Sequence, residues 1–171
     1  MQYLCKKNIE MDKIIGMGNA LVDVLATLND DHILTEMELP KGSMTLIDET
    51  KLLIINECFS EMETELATGG SAGNAIRGMA CLGAGTGFIG KVGNDFFGDQ
   101  LRAAIKEAGI DDIGLCTDEK IHTTLAMVHT YPDGDRDFSF YRNPGADMML
   151  NKTEISEDIL KETEMQISKK L

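Results

Sequence analysis

The sequence predicts an α/β protein built on a layered sheet. Three observations predict it. Lys13–Met17 reads as a buried strand and Gly87–Val92 as a short strand. Between and after them lie segments whose apolar residues recur at helical spacing. Thr123–Tyr131 and Arg136–Arg142 are strand-like and flank Pro132-Asp133-Gly134-Asp135, which reads as the turn of a β-hairpin, an antiparallel piece placed as a lid.

In chain order, Met1–Met11 reads as a loose leader, because a second start-like Met11-Asp12-Lys13 precedes the first apolar run. Lys13–Met17 is a buried strand ending at Gly18-Asn19. Val22–Leu28 is a second extended run broken by Asp23. Thr50–Leu66 carries apolar residues at 52, 55, 59, 62 and 66, close to the period of a helix. Ala72–Leu82 is a second helix and Gly87–Val92 a short strand. Asp95–Ala108 is a third helix, with Phe97, Leu101, Ile105 and Ala108 on one face and Gly109 as its stop. Ile155–Lys169 reads as a helix, since Glu154, Glu157 and Asp158 fall early and Lys169-Lys170 late, matching the helix dipole.

A length of 171 residues accommodates one domain with a real core. The net charge of −13, from 16 basic and 29 acidic residues, opposes binding to nucleic acid and to anionic membranes. No apolar run is long enough to span a bilayer, and the N-terminus lacks a signal-peptide core, so the cytoplasm is the expected location. Cys5, Cys58, Cys81 and Cys116 are scattered and read as reduced, mostly buried thiols. His32, His122 and His129 show no metal-ligand spacing. No metal site is expected.

The candidate chemistry begins with Gly69-Gly70-Ser71-Ala72-Gly73-Asn74. Glycines this close together let backbone approach a ligand. The helix that follows would aim their N–H groups and Asn74 at a polar partner. The cluster fits a plain tight turn equally well. No GxxxxGK[ST] run is present, so this is not a P-loop. Asn19 and Asp23 follow the first strand, where α/β sheets bind ligands. An ionised Asp only accepts, which suits paired sugar hydroxyls; a turn-capping Asn and a solvated Asp fit the same residues. Lys91, Asp95 and Asp99 read as solvated or helix-capping. Arg142, beside Asn143, suits either a substrate contact or a surface position. Phe138 and Phe140 alternate on one hairpin face, where packing is the favoured reading, and the methionines read as core filler.

Gly69–Asn74, Gly78, Leu82-Gly83 and Gly87–Gly98 (GFIGKVGNDFFG) together resemble the first signature region of the ribokinase-type (PfkB) carbohydrate kinases. Gly16-Met17-Gly18-Asn19 with Asp23 resembles the family's first strand. From Met11 to about Gly93, phrases such as GMGNALVD and LPKGSM look most like adenosine-kinase-like members. From about Asp99 onward, HTTLAMVHTYPDGDRDFSFYRNPGADMML looks most like fructokinases. The resemblance implies a ribokinase-like layered sheet with helices on both faces and a small β lid, the lid segments falling near 30–48 and 121–142. It assigns Asn19, Asp23, Gly69, Gly70 and Asn74 to the acceptor's hydroxyls; Arg142 stands beside them as a substrate-contact candidate from its own chemistry, not from the resemblance.

The same resemblance implies an ATP-dependent kinase, with Mg²⁺ on the nucleotide, acting on a primary hydroxyl of a small sugar or nucleoside; fructose and adenosine are both in play. The family's second signature, a Gly-Ala-Gly-Asp run whose Asp is the catalytic base, does not occur in these residues. No catalytic residue is therefore assigned, and the chain is expected to be the N-terminal part of a kinase domain, inactive alone. The C-terminal half of the family fold, with the buried strand due after Ile159-Leu160, is expected to be absent. A non-catalytic sugar- or nucleoside-binding remnant and a fragment that self-associates are the alternatives. A homodimer through the lid is a partner the resemblance suggests.

Overall fold

The computed structural model describes residues 13–27, 32–36, 38–39, 44–60, 62–131, 134–161 and 163–168. The leader, Leu28, Cys5, most of the first lid segment before Met44, the Pro132-Asp133 pair and Lys169-Lys170 lie outside the described residues.

Two sheets organise the chain. The first is parallel, with β1 (Lys13–Met17) between β5 (Thr86–Gly93) and β9 (Thr163–Ser168), and β6 (Leu115–Asp118) outside β5. All eight residues of β5 are buried, as a strand covered on both faces requires. The second sheet is mixed, in the order β3 (Met44–Ile47), β8 (Arg136–Tyr141), β7 (Thr124–Thr130), β2 (Leu21–Thr27) and β4 (Thr64–Gly69). The hairpin β7–β8 is antiparallel, with Thr130 opposite Arg136 and Leu125 opposite Tyr141. The second sheet thus takes in Leu21–Thr27 and Thr64–Gly69 as well as the two segments anticipated for the lid.

Five helices accompany the sheets: α1 (His32–Glu36), α2 (Glu49–Ser60), α3 (Ser71–Cys81), α4 (Phe96–Glu107) and α5 (Glu157–Lys161). α3 packs on β1 and β5, burying Ala72 and Ile76. Gly16 makes that approach feasible, because a methyl group there would overlap Ile76. α4 lies against β5, β2 and β4 and buries Leu101 and Ile105. It begins on Asp95, whose carboxylate accepts from the Gly98 N–H at 2.8 Å, and is followed by Gly109 at φ +72°, the left-handed geometry of a helix stop. One core joins the layers: Val22, Val24, Ile76, Phe88, Leu101, Ile105, Leu125 and Met127 belong to a single cluster.

Three expectations need correction. The helix expected over Thr50–Leu66 stops at Ser60, and Thr64–Gly69 is an edge strand antiparallel to β2. The helix expected over Ile155–Lys169 is one turn, Glu157–Lys161, followed by β9. A strand does follow Ile159-Leu160, and it pairs in parallel with β1. The thiols are also more open than expected: Cys58 and Cys116 are half-buried and Cys81 is exposed. Met127 fills core, whereas Met44, Met148 and Met149 are exposed.

Candidate functional site

The period of β2 sets up the site. Val22, Val24 and Ala26 face the shared core, so Leu21, Asp23 and Leu25 must face the other side of the second sheet. There Leu21 joins Ala126 and Val128 in a separate apolar cluster, with Leu25, Phe138 and Phe140 packed against it. Asp23 therefore sits within an apolar surface. Its lateral partners are Ala67 on β4 and Ala126 on β7. Small neighbours on both sides leave the carboxylate uncovered.

Asn19, Asp23, Gly70, Asn74 and Arg142 line one cleft of about 630 Å³, together with Met44 to Leu46, Arg136, Phe138 and Phe140. Gly69 lies against it: a methyl group at 69 would overlap Asp23 Oδ1 and Leu21 Cδ1. Gly70 is the N-cap of α3 at φ +89°, and a Cβ there would stand 2.5 Å from the Asn19 carbonyl oxygen. Both glycines are thus demanded by the local backbone and by the room Asp23 needs. Burial pushes the Asp23 carboxyl above the usual carboxylate range, and the Arg136 guanidinium partly offsets this. No described residue hydrogen-bonds that carboxylate.

Arg142 is at the cleft but is not free. Its Nη2 and Nε bond the buried Asp147 carboxylate at 2.5 and 3.3 Å. Arg136 is expected from the sequence only as the first residue of a strand, not as a site residue. A turn-flanking arginine carries no local signal, and only the antiparallel return of β8 brings it to Asp23. Met44 and Leu46, on the strand β3 that falls in the first anticipated lid segment, form an exposed apolar wall. Phe138 and Phe140 stack with centroids 6.1 Å apart, packing as expected while also lining the cleft.

The most motif-like segment, Gly93 to Gly98, is occupied by its own chain. Asp95 accepts from Gly98 N, from Thr123 N at 2.7 Å and from Thr123 Oγ1 at 2.8 Å. A Cβ at Gly93 would stand 2.6 Å from Asp95 Oδ2, and one at Gly98 would overlap the Gly93 carbonyl. This segment ties β5, α4 and β7 together and leaves no cradle for a phosphate. Asp95 caps a helix and Asp99 is exposed, as expected. Lys91 is corrected: it is buried rather than solvated, 2.8 Å from Glu154 Oε1 and 3.0 Å from Asp118 Oδ2. Hydrogen bonding to Glu154 raises its pKa, against the opposing effect of burial.

Among the described residues no three His, Cys, Asp or Glu side chains are grouped to hold a metal ion. No described helix is long and apolar enough to cross a membrane.

A parallel sheet joined to a second, mixed sheet, with an open cleft where the first strand ends, defines the ribokinase-like kinase fold. Residues 44–170 match the model of the pfkB family carbohydrate kinases, and the chain belongs to that family. Fructokinase-1 of Oryza sativa subsp. japonica is 43% identical over 95 residues, which are 56% of this chain and 29% of the relative. The adenosine kinase of Sinorhizobium meliloti superposes with a TM-score of 0.74 at 28% identity, covering 92% of this chain and 47% of that one. The fructokinase of Xylella fastidiosa, solved with bound ATP, gives 0.68 at 25% identity, over 92% and 39%. The chain thus spans less than a third of that curated relative and less than half of either solved kinase.

Proposed function

We propose that these residues form the acceptor-binding part of an ATP-dependent kinase that phosphorylates a hydroxyl of a small sugar, fructose being the first candidate. The observation that carries the reading is Asp23: a half-buried carboxylate facing the cleft with no described hydrogen-bond partner. An ionised carboxylate has four lone-pair sites and donates nothing, so it selects ligands rich in donors. Asn19 and Asn74 supply donors and acceptors at the same rim. The half-buried Phe138 and Phe140 offer a flat apolar surface for the carbon face of a sugar ring. ATP would supply the phosphoryl group; this chain's residues hold and orient the acceptor and screen it from water. No Gly-Ala-Gly-Asp run occurs in the 171 residues, so the chain alone is expected to bind acceptor without turning over ATP.

Titration calorimetry of the 171-residue chain with D-fructose and with adenosine tests this. Saturable fructose binding is expected, weakened about tenfold or more in Asp23→Ala, the loss of hydrogen bonds to a charged group. Equal binding by wild type and Asp23→Ala would refute the reading. Adenosine is the second candidate, favoured by the likeness to an adenosine kinase over 92% of the chain, and preferential adenosine saturation would select it. A homodimer through the second sheet belongs to the same reading. Met44 and Leu46 are 74% and 60% exposed on its edge strand β3, and sizing at several concentrations detects such a dimer.

A further inference from the structure

The two arginines of the cleft are held differently. Arg136 is exposed and has no ion pair among the described residues. Arg142 is gripped. Asp147, with its side chain fully buried, takes Nε and Nη2 of Arg142, whose own side chain remains 30% exposed. Asp147 is in turn bonded by the Thr124 hydroxyl, also fully buried. Nothing around this trio has slack: a methyl group at Gly145 would overlap Thr124 Oγ1 and stand 2.8 Å from Asp147 Oδ1. Thr124 opens β7 and pairs with Leu21 of β2, two residues after Asn19. The chain Thr124–Asp147–Arg142 therefore runs from the buried root of the cleft to its wall.

We propose that Asp147, itself held by Thr124, is a positioning residue that fixes Arg142 so that its remaining nitrogen, Nη1, is presented to an oxygen of the bound acceptor. The inference rests on the acceptor reading of the same cleft. A carboxylate that takes two guanidinium nitrogens side by side sets the plane as well as the position of the group. Solvent alone would leave a long arginine many rotamers, and ordering it on binding would cost affinity. Asp147 is closed off from solvent and does not line the cleft, whereas Arg142 does, so the effect of Asp147 on binding must pass through Arg142.

A purely structural role for Asp147 predicts something different, and a mutant cycle separates the two. Fructose and adenosine affinities are measured for wild type, Asp147→Asn, Arg142→Gln and the double variant. The Arg142 Nε–H resonance is followed by ¹⁵N NMR, with thermal midpoints alongside. Arg142→Gln is expected to weaken acceptor binding about tenfold. Asp147→Asn should weaken it several-fold and abolish the slowly exchanging Nε–H signal. The double variant should match Arg142→Gln alone, because the two act as one unit. Thr124→Val, which keeps shape and charge, should give a smaller loss in the same direction and guards against a variant that fails to fold. Additive losses, or an unchanged Nε–H signal in Asp147→Asn, would overturn the inference while leaving the acceptor reading intact. Absence of any wild-type saturation by either ligand would overturn both.

Discussion

Replacing Asp95 with alanine should unfold the protein more readily without acting at the acceptor cleft. The carboxylate accepts three hydrogen bonds, from Gly98 N at 2.8 Å, Thr123 N at 2.7 Å and Thr123 Oγ1 at 2.8 Å. Losing an N-cap to alanine costs about 1 kcal/mol. Thr123 is 1% exposed, so its N–H would be left buried and unpaired, at about 1–3 kcal/mol. The hydroxyl bond adds about 1 kcal/mol. The sum is about 3–5 kcal/mol, a large part of the stability of a typical domain, and a fall in melting temperature of roughly 10 °C for a chain of this size. Urea unfolding followed by far-ultraviolet circular dichroism measures it. Asp95→Asn should fall between, because it keeps one acceptor oxygen but turns a donor toward Thr123 N–H. A loss under about 1 kcal/mol in Asp95→Ala would refute the claim that the glycine-rich segment is a structural tie.

Three further outcomes follow from the same geometry. Gly69→Ala should abolish acceptor binding, and destabilise by about 1–3 kcal/mol, since its methyl would displace the Asp23 carboxylate; calorimetry and urea midpoints read the two effects. Gly78→Ala should stabilise by about 0.5–1 kcal/mol, because it lies within α3 with no heavy atom within 4 Å of the added methyl; a lowered urea midpoint would contradict this. Burial holds the pKa of His129 below its ordinary value, with Asp137 opposing. Below the unfolded-state value of about 6.5 the unfolded chain binds the extra proton, so this contribution is full above that pH and shrinks as pH falls toward the folded-state value, with a slope up to about 1.4 kcal/mol per unit. Urea midpoints from pH 7.5 to 5.5 should show that slope, and His129→Gln should flatten it.

Much of the layered sheet was legible because local pattern and long-range partner agree. β5 is mostly apolar, Thr86 and Lys91 apart, and is buried along its length; α4 has its cap at Asp95 and its stop at Gly109 where the sequence puts them. The failures have physical causes. β4 is an edge strand with Thr64, Glu65 and Leu66 all exposed, so no alternation distinguished it from a continuing helix, and the apolar spacing of α2 ran on to Leu66. β9 did carry a signal, Met165 and Ile167 alternating with polar residues, but the flanking charges outweighed it, and its pairing with β1 spans the whole chain. At the site, Asn19, Asp23 and Gly69–Asn74 are close in sequence to the turns that place them. Arg136 and Asp147 are not: one arrives by the return of a hairpin, the other by a buried bond to Thr124. Pair interactions of that kind leave no trace in a single segment.

The cleft also explains how one chain resembles two kinds of kinase. Its polar rim, Asn19, Asp23, Gly70 and Asn74, lies in the segment whose phrases read as adenosine-kinase-like. Phe138, Phe140, Arg136 and Arg142 lie in the segment whose phrases read as fructokinase-like. The two meet across β2 and β7, which pair in parallel from Leu21–Thr124 to Thr27–Thr130, and are tied by the Asp95–Thr123 bonds at the end of β5. That tie is made of backbone amides, one carboxylate and one hydroxyl, and none of these residues lines the cleft. It therefore demands the same residues whatever acceptor lies in the cleft. The segment most characteristic of the family thus carries the least information about substrate. On the proposed acceptor reading, choice lies in how the Asp23 rim is matched to the Phe138–Arg142 wall, so exchanging β8 residues between fructose- and adenosine-preferring relatives should move preference, whereas exchanging Gly93–Gly98 should not.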